Sequence, residues 1–212
     1  MGAADAALYA HSRRVRGLRV DGVYLFACPR PGDGNVAASL SIIREGGAPV
    51  VSVQNADDDV TWVPFDAHAG EMGWDYVDAA PFTGIAEPAP WSDFLIDPFF
   101  CHHHIALYVA GVHKLAANGA AVGINQAVDE VARLYDTADG WDWINPVDGL
   151  YWACRRFPNG AKLMIRRGSR TGRDWLTEDF RFDQWDWYGA RASVGFCAGI
   201  EPVQAALDAE LV

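Results

Sequence analysis

Apolar residues recur along the chain with two periods, and the change between them divides it into elements. Met1 to Val15 carries Ala3, Ala4, Ala6, Ala7 and Ala10 with Leu8 and Val15 between polar positions, a pattern that predicts a helix. Val20-Asp21-Gly22-Val23-Tyr24-Leu25-Phe26-Ala27 predicts a buried strand, followed by a loop over Pro29-Arg30-Pro31-Gly32-Asp33-Gly34. A short helix over Val36–Glu45 and a second strand over Pro49–Asn55 follow. Phe65 to Pro98 is rich in Gly, Pro, Asp and aromatic residues and predicts a loop region, with a hairpin around Trp74-Asp75-Tyr76-Val77. Helical periodicity returns over His104–Ala117, closed by Asn118-Gly119, and again over Ile124–Tyr135. Leu150–Phe157, the turn Pro158-Asn159-Gly160 and Ala161–Arg167 predict a hairpin, with a helix starting near Arg173-Asp174-Trp175-Leu176 and a last one over Ile200–Leu211. Strands alternating with helices predict an α/β fold around a mainly parallel sheet, without internal repeats.

Composition narrows this little. Half of the 212 residues are hydrophobic and 21% are charged, as in an ordinary globular domain. No apolar run approaches the ~20 residues of a membrane-spanning helix. The N-terminus lacks the basic-then-apolar order of a signal peptide, which leaves the cytoplasm as the default expectation. The net charge of −11 gives no general attraction to phosphate backbones, so nucleic acid is not expected as a partner. Two basic groups, Arg13, Arg14, Arg16, Arg19 and Arg155, Arg156, Arg166, Arg167, Arg170, Arg173, are read as solvated surface. Cys28, Cys101, Cys154 and Cys197 lack zinc spacing and are read as buried thiols. Nine tryptophans serve either core packing or an aromatic rim around an apolar substrate.

Three stretches carry candidate chemistry. Val23-Tyr24-Leu25-Phe26-Ala27-Cys28-Pro29-Arg30-Pro31-Gly32-Asp33 is a strand running into a Pro-Arg-x-Gly-Asp turn; Val53-Gln54-Asn55-Ala56-Asp57-Asp58-Asp59-Val60 places an acid after a strand; His103-His104-Ile105-Ala106-Leu107-Tyr108 opens a helix. Together these resemble the class-three lipases, the family of the fungal triacylglycerol lipases. The resemblance implies an α/β-hydrolase-like fold with Asp58 as the triad acid and His103 as the base. Taken alone, Asp57-Asp58-Asp59 is equally a solvated turn. His102, His103 and His104 with Asp97 could also be read as a metal cluster, although adjacent histidines seldom all face one ion.

The C-terminal part resembles the other half of that family. Leu134-Tyr135-Asp136, the hairpin, Arg167-Gly168-Ser169 and Asp174-Trp175-Leu176-Thr177-Glu178-Asp179 follow its order, with one residue inserted in the last motif. The resemblance makes Ser169 an oxyanion residue and puts Met1 beside it, where the family continues after its nucleophilic serine. The halves stand in permuted order: 1–116 matches the family's C-terminal half and 124–212 its N-terminal half, joined through 117–123 in a single domain. No G-x-S-x-G elbow occurs in the chain. Family order therefore leaves about ten residues, a short strand with its serine, unaccounted for. The expectations are a lipase- or esterase-like hydrolase of acyl esters without its own nucleophile, neighbouring termini, no cofactor or metal, a lipid or small-molecule ester as substrate and a partner strand completing the sheet. The alternative is a non-catalytic binding or structural protein on the same scaffold.

Overall fold

The structure is a computed structural model that describes residues 2–63, 74–90, 103–119, 123–137, 139–147, 150–168 and 181–211. Helix α1 spans Gly2–Val15. Its high alanine content favours helix, and Gly17, at φ +73°, ends it: the Leu18 N–H reaches Arg13 O and the Gly17 N–H reaches Arg14 O. Strand β1 (Val23–Phe26), helix α2 (Gly34–Glu45), strand β2 (Val50–Asn55) and strand β3 (Phe82–Ile85) follow. Asp33 caps α2 by accepting from the Asn35 N–H. The three strands form a parallel sheet in the order β1-β2-β3.

Helices α3 (Ile105–Ala117) and α4 (Ile124–Asp136) come next. They lead into β4 (Trp143–Val147), β5 (Leu150–Arg156) and β6 (Lys162–Arg166), an antiparallel sheet in that order. Strands β7 (Gln184–Trp187) and β8 (Ala190–Ser193) make a hairpin, and helices α5 (Val194–Ala198) and α6 (Gln204–Leu211) close the chain.

The mixed α/β class is as expected, with three corrections. Among the described residues only one of three sheets is parallel; the β4-β5-β6 and β7-β8 pairings are antiparallel. The region expected to be loop contains β3, whose Phe82-Thr83-Gly84-Ile85 is too short and too interrupted by Gly84 to show a period of its own. It is a strand because β2 offers it an edge. Of the hairpin expected around Trp74–Val77, the described residues show a single bridge between Val77 and Gly32. The helix expected near Arg173 lies outside the described residues.

Alternation on the strands distributes the core. Val23 and Leu25 of β1 pack with Ala7 and Ala10 of α1 and Leu40 of α2 on one face. On the other face Val53 and Ile85 pack with Tyr108 and Val112 of α3 and Ile124 and Val128 of α4. Trp152 of β5 is buried with Leu8 and Tyr9 of α1 and Leu207 of α6, while its neighbours Ala153 and Ile165 meet Leu134 of α4. Helix α1 thus contacts both β1 and β6, and α4 contacts both as well. Among the described residues β1 and β6 are the end strands of their sheets.

Helices α1 and α6 meet through side chains. Tyr9 donates to Asp208 at 2.9 Å, and Arg13 and Arg16 of the first basic group pair with the same carboxylate. Met1 and Val212 themselves are outside the described residues. In the expected join, Ala117, Asn118 and Gly119 are exposed. Cys28, Cys154 and Cys197 are free and buried, and burial pushes the Cys28 thiol up to about 12.

Candidate active site

Asp58 sits just past the end of β2, fully buried, where the chain enters a turn of 3-10 helix over Asp59–Trp62. Its Oδ1 accepts from the Val60 N–H at 3.1 Å, an N-cap bond that fixes the carboxylate on a rigid element. Its Oδ2 accepts the Tyr108 hydroxyl at 2.6 Å. That hydroxyl in turn accepts the Asn55 N–H at 3.0 Å, tying the first turn of α3 to the last residue of β2. His103, two residues before α3, places Nδ1 at 2.8 Å from Oδ2 and 3.0 Å from Oδ1. The two residues lie 45 positions apart in sequence.

Burial pushes the Asp58 carboxyl up, but the charge of His103 and the hydrogen bonds from His103, Tyr108 and Val60 outweigh it. Its pKa therefore lies below the ordinary carboxylate value. Burial, reinforced by the neighbouring Asp58 charge, pushes the Tyr108 hydroxyl well up, so it remains a donor. A carboxylate at Nδ1 selects the tautomer that leaves Nε2 as the basic nitrogen.

The imidazole is 17% exposed and borders a cavity of about 480 Å³. Ala27, Tyr108, Gly2 and Gly168 line the same space. The two glycines are a tight fit. A Cβ on Gly2 would lie 2.6 Å from Arg166 O, and one on Gly168 would lie 2.6 Å from the Tyr135 hydroxyl and 3.9 Å from the Gly2 nitrogen. The start of α1 is thereby pressed against the end of β6. Met1 and Ser169, the expected oxyanion residues, lie outside the described part of the chain. The same holds for His102 and Asp97; His104 is exposed, and the described residues contain no group of three metal-ligating side chains.

Tyr108 is visible in the sequence as the end of the His103 motif, but its service to Asp58 is not. The buried Asp5–Arg166 ion pair at 2.8 Å, which joins α1 to β6, also has no sequence signal. Among the described serines, Ser12 donates to Tyr9 O, Ser193 donates to Arg181 O and Ser39 pairs with His11 Nδ1 at 2.8 Å. The Ser39–His11 couple has the composition of a catalytic dyad. Both residues are buried, and the second imidazole nitrogen meets Trp187 O, so the couple ties α1 to α2 and β7. The basic groups are likewise engaged: Arg155 with Glu130 and Arg156 with Glu210. No described helix is long and apolar enough to cross a membrane.

Compared with known family models, curated proteins and solved structures, the chain matches none.

Proposed function

We propose that this chain carries the acid–base half of a serine-hydrolase site acting on carboxylic esters, of the lipase or esterase kind, on an α/β-hydrolase-like scaffold. The observation that carries the reading is the buried, triply hydrogen-bonded Asp58 holding His103 at the wall of a cavity. In such a site Nε2 of His103 takes the proton of an attacking hydroxyl and returns it to the leaving alkoxide. Asp58 steadies the imidazolium between the two transfers. Backbone N–H groups where α1 meets β6, with Ser169 and Met1, would face the developing oxyanion. The hydroxyl itself has no source in a G-x-S-x-G elbow of these 212 residues.

The test compares turnover of p-nitrophenyl butyrate by three proteins. One is the chain itself. The second carries a strand-forming segment ending Gly-His-Ser ahead of Met1. The third is the second with His103→Ala. Hydrolysis is expected in the second alone, because nucleophile and base act as a unit. Equal turnover by all three would refute the assignment. A non-catalytic binding role is favoured instead by the engagement of Ser12, Ser39 and Ser193 elsewhere. That role predicts no turnover even with the added serine.

A further inference from the structure

The first basic group of the sequence, Arg13, Arg14, Arg16 and Arg19, is unevenly matched by acids. Arg13 and Arg16 pair with Asp208, and Arg19 pairs with Asp21. Arg14, in the last turn of α1, forms no ion pair among the described residues. Its Nε is buried and has no acceptor. A buried guanidinium N–H without a partner is uncommon in a native fold and calls for an explanation. Helix capping does not supply one. In the last turn of α2 the Ile42, Ile43 and Arg44 carbonyls already accept the Gly46, Ala48 and Gly47 N–H groups. At the end of α1 the Arg13 and Arg14 carbonyls accept those of Leu18 and Gly17.

Arg14 lines a groove of about 460 Å³ where the ends of α1 and α2 meet. Arg19, Val20 and Asp21 line both this groove and the cavity that His103 borders, whereas Arg14 lines only the groove. Leu18, Val20, Ile43 and Ala48 make its apolar part, and Ile42, also in its wall, is 46% exposed. The space at Gly47 is open, since a Cβ there would meet nothing within 4 Å. The volume lies in the lower part of the range of small-molecule sites, about 300–1,000 Å³. The charges around the groove leave one cation over. Asp21 offsets Arg19, and Arg44 and Glu45, adjacent and exposed at the end of α2, offset each other. Arg14 remains.

We infer that this groove binds a small monocarboxylate with an apolar body, an aryl or alkyl carboxylate. The carboxylate sits on Arg14 and the body lies against Leu18, Val20, Ile42 and Ile43. The Nε–H and a neighbouring Nη–H of a guanidinium form one edge of a planar fork that matches a carboxylate. A dianion such as a phosphate monoester is disfavoured, because one cation alone is unmatched and the Asp21 carboxylate stands in the same wall. A neutral apolar ligand would leave the Nε–H without a bond. The inference stands on the groove and does not rest on the ester-hydrolase reading.

The experiment titrates the 212-residue chain with cinnamate, with its neutral isostere cinnamamide and with acetate, by isothermal titration calorimetry. Cinnamate is expected to saturate a single site with a Kd of about 0.1–1 mM. Cinnamamide lacks the charge and acetate lacks the body, so each should bind at least about tenfold more weakly. Arg14→Gln should weaken cinnamate at least about tenfold and leave cinnamamide unchanged. Should that variant fail to fold, Arg14→Lys keeps the charge without the fork and is expected to weaken cinnamate at least about threefold. Ile42→Gln, at a half-exposed position, should weaken cinnamate and leave acetate unchanged. Cinnamamide binding as tightly as cinnamate would overturn the proposal, and so would cinnamate binding that survives the Arg14 substitution. Acetate binding as tightly as cinnamate would reduce the site to an adventitious ion only. Absence of saturable cinnamate binding up to about 10 mM would also overturn it.

Discussion

Replacing Tyr108 by Phe removes one oxygen from the centre of the candidate site and leaves the ring in the core. Two interactions go with it. The bond to the Asp58 carboxylate, at 2.6 Å between buried groups, is of the charge-assisted kind, for which about 1.5–3 kcal/mol is typical. The Asn55 N–H then loses its acceptor in a residue only 1% exposed, at a further ~1–3 kcal/mol. Partial relaxation brings the expected total to about 3–4 kcal/mol, or roughly a 10 °C fall in Tm for a domain of this length. The loss should depend on pH. The Asp58 pKa is depressed, so its contribution is present above the unfolded value of about 3.9 and is lost as pH falls through the folded value. Tyr108→Phe removes one of the causes of that depression. The penalty should therefore be full at pH 7 and smaller at the lowest pH the native state tolerates, where Asp58 is protonated in both proteins. Urea unfolding followed by tryptophan fluorescence at the two pH values measures it. A penalty below about 1 kcal/mol, or one equal at both pH values, would refute the account of Tyr108 as the donor that holds Asp58 ionised.

Two further substitutions probe the frame around the site. Arg166→Met should destabilise by about 3–5 kcal/mol because it removes the guanidinium that pairs with the fully buried Asp5 carboxylate. The double change Asp5→Leu with Arg166→Met should recover most of that loss, and a double-mutant cycle from chemical denaturation checks it. Gly111→Ala would set a Cβ 2.6 Å from Cδ1 and 2.9 Å from Cβ of Ile85, at a cost of about 1–3 kcal/mol from overpacking where α3 crosses β3. Ile85→Ala in the same chain should lower the cost of Gly111→Ala, read as a favourable coupling in the thermal midpoints.

Local chemistry determines much of the chain's secondary structure. The alanines of α1 with Gly17 behind them, the 3.6-residue period of α3 and α4, and the Pro158-Asn159-Gly160 turn between β5 and β6 are short-range signals, and these elements stand where the pattern puts them. Asp58 and His103 are legible as candidates because each sits in a local motif at the end of an element. What brings them together is long-range. The carboxylate reaches His103 only because α3 packs across β2 and Tyr108 spans the gap to Asn55. Strand β3 and the β7-β8 hairpin are not legible for a related reason. Segments of four residues carry too little periodicity to declare themselves, and they become strands through the hydrogen bonds their neighbours offer. The Asp5–Arg166 pair and the cavity between β1 and β6 exist only once α1 lies over both sheets. Contacts across 161 positions leave no trace in any window of sequence, so tertiary packing alone decides them.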